Sequence, residues 1–460
     1  MGEWRQRTEG SILAEGAFVR YALIGLFVLA SMLTPPSARA VESAASGDRG
    51  VPPHVAILNV RLVDGHVVRI DLATSGLDAP GMEPPTVDLS VLLDGVPARA
   101  ALPLIHMPPR FSMDLDLPVG VVRVGGIPVG SFTPVPRFRE NLRFPVDVTV
   151  RRGQLAATAR QITTFLLPTV IVPGYLNEFT ARDEDAIASF VHRGYDIDNA
   201  APTLFWFTYP SRDASLDDAA RALAAYVRRA VLPRTYAARI NVVGFSLGGL
   251  MARWNVAHDV DGWGTLVNRL VLVGVPNEGS VMAYVGEHAP FFVPFSGFGR
   301  TVTAAMLTPT FPFWRAAPGE GWRTPPDAQN TILTQLNALP LPAGIRVYIF
   351  YGSHAAEDSA GPLTASGITG ALPGTDLSFA AGDGVVLSAS AQGLPIHGNE
   401  GVPALAERTI LRVDLGAVYH TRLLDAGAGR IADALFDRFA STVDEAGPAP
   451  STQEGALSHP

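Results

Sequence analysis

Along this chain the spacing of apolar residues changes once, near Pro168. From about Pro53 to Leu167 apolar and polar positions alternate in short runs broken by Gly, Pro and Asp. Val55–Val60, Val67–Leu72 and Val87–Leu92 are the clearest, and Phe144–Val150 puts Val146, Val148 and Val150 on one face. Arg151-Arg152-Gly153 then turns the chain into a further run, Ala156–Phe165. Alternation with a period of two marks a half-buried strand. Many short strands separated by turn residues predict an all-β sandwich of immunoglobulin-like character over residues 53–167. His54, His66 and His106 fall in it singly and read as ordinary surface or core residues.

Beyond Pro168 the apolar runs are unbroken and are separated by helix-length segments. Thr169–Val172, Leu204–Tyr209, Ile240–Val243, Leu270–Val273, Ile345–Phe350 and Ile410–Val413 read as strands. After the second, Ser215 and Asp218 form a capping box, and Leu216, Ala219, Leu223, Tyr226, Val227 and Ala230 recur at helical spacing. Strands alternating with helices predict a mostly parallel sheet with helices on both faces, over residues 168–443. An insertion at 282–339 is rich in proline and aromatics, among them Phe291, Phe292, Phe295, Phe298, Phe311, Phe313, Trp314 and Trp322. An insertion of that size is functional or locally folded. It reads either as a lid that walls a binding site or as core packing beneath a cap. Residues 444–460 have little to bury and are expected to be a disordered tail.

The N-terminus bears on location. Tyr21–Leu33 is an apolar run preceded by Arg20 and followed by Pro35-Pro36 and Ala38-Arg39-Ala40. At about 13 residues it is shorter than the ~20 a membrane span needs. A short apolar run ahead of an A-x-A site predicts an export signal, residues 1–40, with a linker at 41–52. The protein is then secreted, periplasmic or attached to the cell envelope; left uncleaved, the same run would be a membrane anchor. Glu3, Glu9 and Glu15 offset Arg5 and Arg7 where such a signal is basic, so translation is expected to start near Val19.

Composition removes whole classes of chemistry. A net charge of -8 offers no basic field for nucleic acid. With no cysteine there is no thiol nucleophile, Cys-based metal site or disulfide framework. No His/Asp/Glu cluster has ligand spacing, so neither a metal nor a cofactor is expected. Oligomeric state is left open.

The candidate chemistry sits at Gly244-Phe245-Ser246-Leu247-Gly248, between the strand Ile240–Val243 and a helix opening at Gly249–Trp254. Gly-x-Ser-x-Gly between strand and helix is a nucleophile elbow. The serine sits on a strained turn, where a β-carbon on either neighbour would clash. Such a serine needs a base, and the base needs an acid to orient it. Behind this elbow the chain order is Ser, acid, His, which leaves His258, His288, His354, His397, His420 and His459. His420 lies past the last strand and before a helix, where the base belongs; His397, just before that strand, is the runner-up. Asp383, between Gly382 and Gly384 in the loop after the penultimate strand, is the candidate acid, with Asp358 and Asp376 as alternatives. An oxyanion needs two N–H donors. One is Leu247, and the second is Tyr175, with Leu176 as its alternative. Gly174 lets the backbone approach the substrate.

Val170–Leu176, the Gly-Phe-Ser-Leu-Gly-Gly elbow, Val275-Pro276-Asn277-Glu278-Gly279-Ser280 and Gly382–Val386, closed by His420, resemble the lecithin:cholesterol acyltransferase-type lipases of the α/β-hydrolase superfamily. The resemblance spans roughly Pro168 to Leu435. Phe245 departs from it, since His is frequent there, and so does the lack of stabilising cysteines. It implies an α/β-hydrolase fold and cleavage of a lipid or other acyl ester through an acyl-enzyme. Ser246 is then the nucleophile, His420 the general base and acid, and Asp383 the orienting group. Gly174, Leu176, Phe291, Phe292 and Phe295 would line the acyl site, and contact with a lipid interface would follow. The acceptor stays open between water, as in a lipase or esterase, and an alcohol, as in an acyltransferase. A catalytically silent envelope-binding protein, acting through its sandwich, is the rival from another class.

Overall fold

The computed structural model describes residues 52–77, 86–93, 96–103, 109–174, 181–197, 201–209, 216–279, 331–353, 382–383, 385–394, 402–406 and 410–436. The expected signal, residues 41–51 of the linker, and the tail lie outside them.

The N-terminal strands are β1 (His54–Val63), β2 (Val67–Ser75), β3 (Thr86–Leu93), β4 (Val96–Pro103), β5 (Arg110–Asp116), β6 (Val121–Val124), β7 (Ile127–Ser131), β8 (Leu142–Arg152) and β9 (Leu155–Phe165). They form two antiparallel sheets, ordered β1-β2-β5-β6-β7 and β4-β3-β8-β9. Val68, Ile70 and Leu72 of β2 and Met113 and Leu115 of β5 share one buried cluster with Phe144, Val146, Val148 and Val150 of β8. The sheets therefore close face to face, with Val146, Val148 and Val150, the face that the period of two selected, in the shared core. Their outer faces carry cross-strand ion pairs such as Arg69–Asp114 at 2.7 Å and Arg61–Asp71 at 3.2 Å. Arg69 holds Asp114 through two bonds, Nε to Oδ1 at 2.7 Å and Nη2 to Oδ2 at 2.9 Å, and both carboxylates are half-buried.

The second sheet comprises β10 (Thr169–Val172), β11 (Leu204–Trp206), β12 (Ile240–Phe245), β13 (Val267–Val273), β14 (Arg346–Tyr351) and β15 (Leu411–Asp414), in the order β11-β10-β12-β13-β14-β15. Every neighbouring pair is parallel. Helices α1 (Ala181–His192), α2 (Leu216–Tyr226), α3 (Leu247–Ala257), α4 (Thr331–Ala338), α5 (Ser388–Gln392) and α6 (Leu423–Leu435) accompany it. Alternate side chains of the strands enter different cores. Val170, Val242, Leu270 and Leu272 pack with α2, α3 and α4, whereas Ile171, Val243, Val271 and Val273 pack with α1 and α6. A sheet buried on both faces explains why its strands read as unbroken apolar runs.

Sandwich and sheet share structure where they meet. Leu167 lies in the sandwich core, while its neighbour Leu166 packs on the α1/α6 side of the parallel sheet. Tyr236 and Ala237, which lead into β12, also belong to the sandwich core. Phe138 N–H donates to Tyr236 O at 3.0 Å, Ala238 N–H donates to Phe138 O at 2.7 Å, and the Tyr236 hydroxyl donates to Val135 O. Asn141 receives Leu167 N–H at 2.8 Å and donates to Leu435 O at 3.0 Å.

Three elements differ from their sequence reading. The strand expected to reach Tyr209 ends at Trp206, because β10 runs into Pro173, which has no N–H to continue the ladder. The α-helical ladder expected through Ala230 gives way to a π-turn over Val227–Val231, just ahead of Pro233. The far end of the expected insertion is α4, whose Leu333 and Leu336 are buried in the sheet's core. Residues 282–330 lie outside the described ones.

Candidate active site

Strand β12 delivers Ser246. It lies between β10 and β13, so its path is fixed on both sides. Ser246 N–H still donates to Val273 O at 2.9 Å, and α3 starts at the next residue. The turn between them costs Ser246 a φ of 51° and ψ of -124°, a conformation that persists only where the surroundings enforce it. Its glycines supply the room. A β-carbon on Gly244 would lie 2.4 Å from Gly249 Cα, and one on Gly248 would lie 2.2 Å from Val172 O. Leu247 opens α3, so its N–H has no carbonyl four residues back and sits where the helix dipole favours negative charge.

His420 stands beside this serine. Its Nε2 is 2.9 Å from Ser246 Oγ, and its Nδ1 is 2.8 Å from Asp383 Oδ2. The other oxygen of Asp383 accepts Val385 N–H at 3.0 Å and Val386 N–H at 2.7 Å. His420 N–H donates to Asp383 O at 2.8 Å, so backbone and side chain tie the two residues together. Asp383 is 1% exposed at its side chain and His420 10%, and in such burial each hydrogen bond is stronger than in water. The Asp–His pair is therefore held before any ligand arrives. With Nδ1–H given to the carboxylate, Nε2 is left as an acceptor facing the serine hydroxyl.

Two neighbours shape the imidazole's slot. The Phe245 ring lies over it, centroids 5.0 Å apart and planes 33° apart. Gly274, at φ 55°, is the other; a β-carbon there would stand 2.6 Å from Leu423 Cδ1 and 3.2 Å from both Asp383 Oδ2 and His420 Cε1. Gly274→Ala is thus expected to lower kcat by about a hundredfold, the scale of an ångström-sized misplacement. Steady-state kinetics beside a thermal melt checks this; unchanged kcat contradicts it. Gly274 was not singled out in the sequence. Its signal was a glycine closing an apolar strand, which marks close backbone approach.

The structure thus brings Ser246, Asp383 and His420 together, with Leu247 next to the serine. Gly174 joins them, since a β-carbon on it would lie 2.8 Å from Ser246 Cβ. Tyr175, Leu176, Phe291, Phe292 and Phe295 lie outside the described residues, as do Asp358, Asp376, His288, His354, His397 and His459. His258 is turned away: its Nδ1 meets Trp254 O at 3.0 Å on its own helix, and its ring stacks on Trp254 at 4.1 Å.

A second polar cluster, unnoticed in the sequence, lies beneath the site. Arg253 of α3 is buried and donates to Asn277 Oδ1 at 2.8 Å and to Asn337 Oδ1 at 2.9 Å. Asn337 donates in turn to Asn277 O and Glu278 Oε1, both at 2.9 Å. Asn277 donates to Ala391 O at 2.7 Å, and Glu278 N–H reaches Ser390 Oγ at 3.0 Å. The Asn277-Glu278 stretch, one of the motifs behind the resemblance, is in this way the junction of α3, α4 and α5.

No family model and no curated protein matches the chain. Among solved structures, the chain is similar to the lin2722 gene product of Listeria innocua, with 12% identity and a TM-score of 0.35 over 60% of this chain and 96% of that one. Esterase Pf2001 of Pyrococcus furiosus gives 13% and 0.30 over 67% and 96%. Carboxyl esterase 2 of Tuber melanosporum gives 10% and 0.33 over 67% and 88%.

Proposed function

We propose that this chain is an exported serine hydrolase that cleaves carboxylic esters, lipid acyl esters among them, through an acyl-enzyme. One observation carries the reading: the continuous relay from Asp383 through His420 to Ser246, at 2.8 and 2.9 Å, on a strained strand-to-helix turn. A serine merely buried at a turn has no need of an oriented imidazole backed by a carboxylate with two N–H donors of its own.

The chemistry follows from these positions. Ser246 Oγ attacks the ester carbonyl carbon while His420 Nε2 takes its proton. Asp383 stabilises the imidazolium by accepting Nδ1–H. Negative charge gathers on the former carbonyl oxygen, to which the N–H groups of Leu247 and Tyr175 donate. Collapse breaks the bond to the alcohol oxygen, which leaves with the proton from His420. Water then attacks the acyl-Ser246 ester with His420 again as base, releasing the acid and restoring the hydroxyl. The aromatic stretch around Phe291, Phe292 and Phe295 supplies an acyl-binding wall in this reading.

Hydrolysis of p-nitrophenyl esters of increasing chain length, beside Ser246→Ala, tests it. Turnover that needs Ser246 and rises with chain length is expected, together with labelling of Ser246 by a fluorophosphonate. Folded protein that neither turns over any ester nor takes the label overturns the reading in favour of a binding protein.

A further inference from the structure

Strand periodicity brings an aromatic ring to the relay. Val243 and Phe245 alternate with Gly244 on β12, and both sit on the face of the sheet that α1 and α6 cover. His420 opens the turn that runs into α6, so imidazole and phenyl ring meet on that side. Phe245 is half-buried and paired with Val273 of β13. Gly174 passes beside its ring, so closely that a β-carbon there would lie 3.3 Å from Phe245 Cδ1. The ring is held with its centroid 5.0 Å from that of the imidazole and the planes 33° apart. That is inside the ~6 Å at which the negative face of an aromatic ring attracts a cation.

Any apolar side chain could fill this place, but a ring face adds an electrostatic effect. The imidazole becomes charged when it takes the proton of Ser246, and loses that charge when the alcohol departs. Attraction to the ring face therefore acts on the transition state and hardly on the resting enzyme. Asp383 meets the imidazole at its Nδ1 edge, and Ser246 at its Nε2. The ring meets it from the flank, where it supplies negative potential without competing for either nitrogen. We propose that Phe245 is a positioning residue that acts through His420: the negative face of its ring steadies the imidazolium formed when Ser246 gives up its proton. This rests on the hydrolase reading above and deepens it.

Graded fluorination of the ring at position 245, by incorporation of mono-, di- and trifluorinated phenylalanine, keeps the ring's shape and drains negative charge from its face. The expected result is a stepwise fall in kcat, reaching about threefold to thirtyfold for the trifluorinated ring, with KM changed less than about threefold. Phe245→Leu, which removes the face and keeps an apolar side chain, should lose at least as much. Inhibition by an alkylboronic acid, whose tetrahedral adduct with Ser246 imitates the transition state, should weaken in step with kcat. Rates are taken per site titrated with fluorophosphonate, so any loss of folded protein drops out. If the trifluorinated protein keeps kcat and boronate affinity within about twofold of wild type, or loses only in KM, the ring merely packs there. The role of Phe245 is then overturned, even if Phe245→Leu is slow, while the hydrolase reading stands. A wild-type protein that is inactive and unlabelled overturns both.

Discussion

His420→Ala should lower ester turnover by about a million-fold, the loss seen when the base of such a relay is removed. The geometry gives the reason. Among the described side chains, Nε2 of His420 is the nitrogen set against Ser246 Oγ, at 2.9 Å, and without it the hydroxyl keeps its proton. Asp383→Asn should cost about ten-thousandfold, through a different route. Val385 N–H and Val386 N–H both point at Asp383 Oδ1. An asparagine satisfies them only with its oxygen on that side, which turns its NH2 toward His420 Nδ1. The imidazole must then accept at Nδ1 and carry its proton on Nε2, where it cannot take one from serine. Single-turnover rates of both variants check this, with circular dichroism to show retained fold. Turnover within tenfold of wild type for either variant contradicts the assignment.

Arg253→Met should be the most destabilising of the simple side-chain replacements beneath the site, by about 3–5 kcal/mol, the scale for stripping one partner from a buried charged network. Burial lowers the Arg253 pKa to about 10, with nearby Glu278 opposing the shift, so the guanidinium stays charged at neutral pH. Methionine fills most of the volume but leaves Asn277 Oδ1 and Asn337 Oδ1 facing an apolar chain. Each such orphaned acceptor costs about 1–3 kcal/mol. The midpoint of urea unfolding reads the effect, and a shift equivalent to less than about 1 kcal/mol refutes it.

Ser246 and His420 could be placed from the sequence because each lies just beyond a strand end that periodicity locates. Ile240–Val243 points at Ser246, and the run at Ile410–Val413 makes His420 the first histidine beyond the last strand. Asp383 was harder, since its loop holds three aspartates. Asp383 Oδ1 sits in a local cradle of Val385 and Val386 N–H groups, which no periodicity encodes. Arg253 was invisible for another reason. Arg253 stands among apolar residues on a helix, and its acceptors come from residues 277 and 337, brought near only by tertiary packing. Tyr209 looked like one more strand residue, because where a strand stops depends on a proline in its neighbour. Ion pairs on the sandwich's outer faces likewise needed the register before they could be seen.

The sharing of Tyr236 and Ala237 with the sandwich core bears on the order in which this chain is made. A protein grows from its N-terminus at some 5–20 residues per second, and domains that are complete usually fold as they emerge. The sandwich strands end at Phe165, yet two residues of their core come only after α1, β10, β11 and α2 have been synthesised. Until then the sandwich core lacks Tyr236, whose ring packs edge-on against Phe138 and whose hydroxyl donates to Val135 O. The polypeptide that supplies that side chain continues, nine residues after Ala237, to Ser246. Completion of the first half of the molecule and placement of the serine strand are in that sense a single folding event.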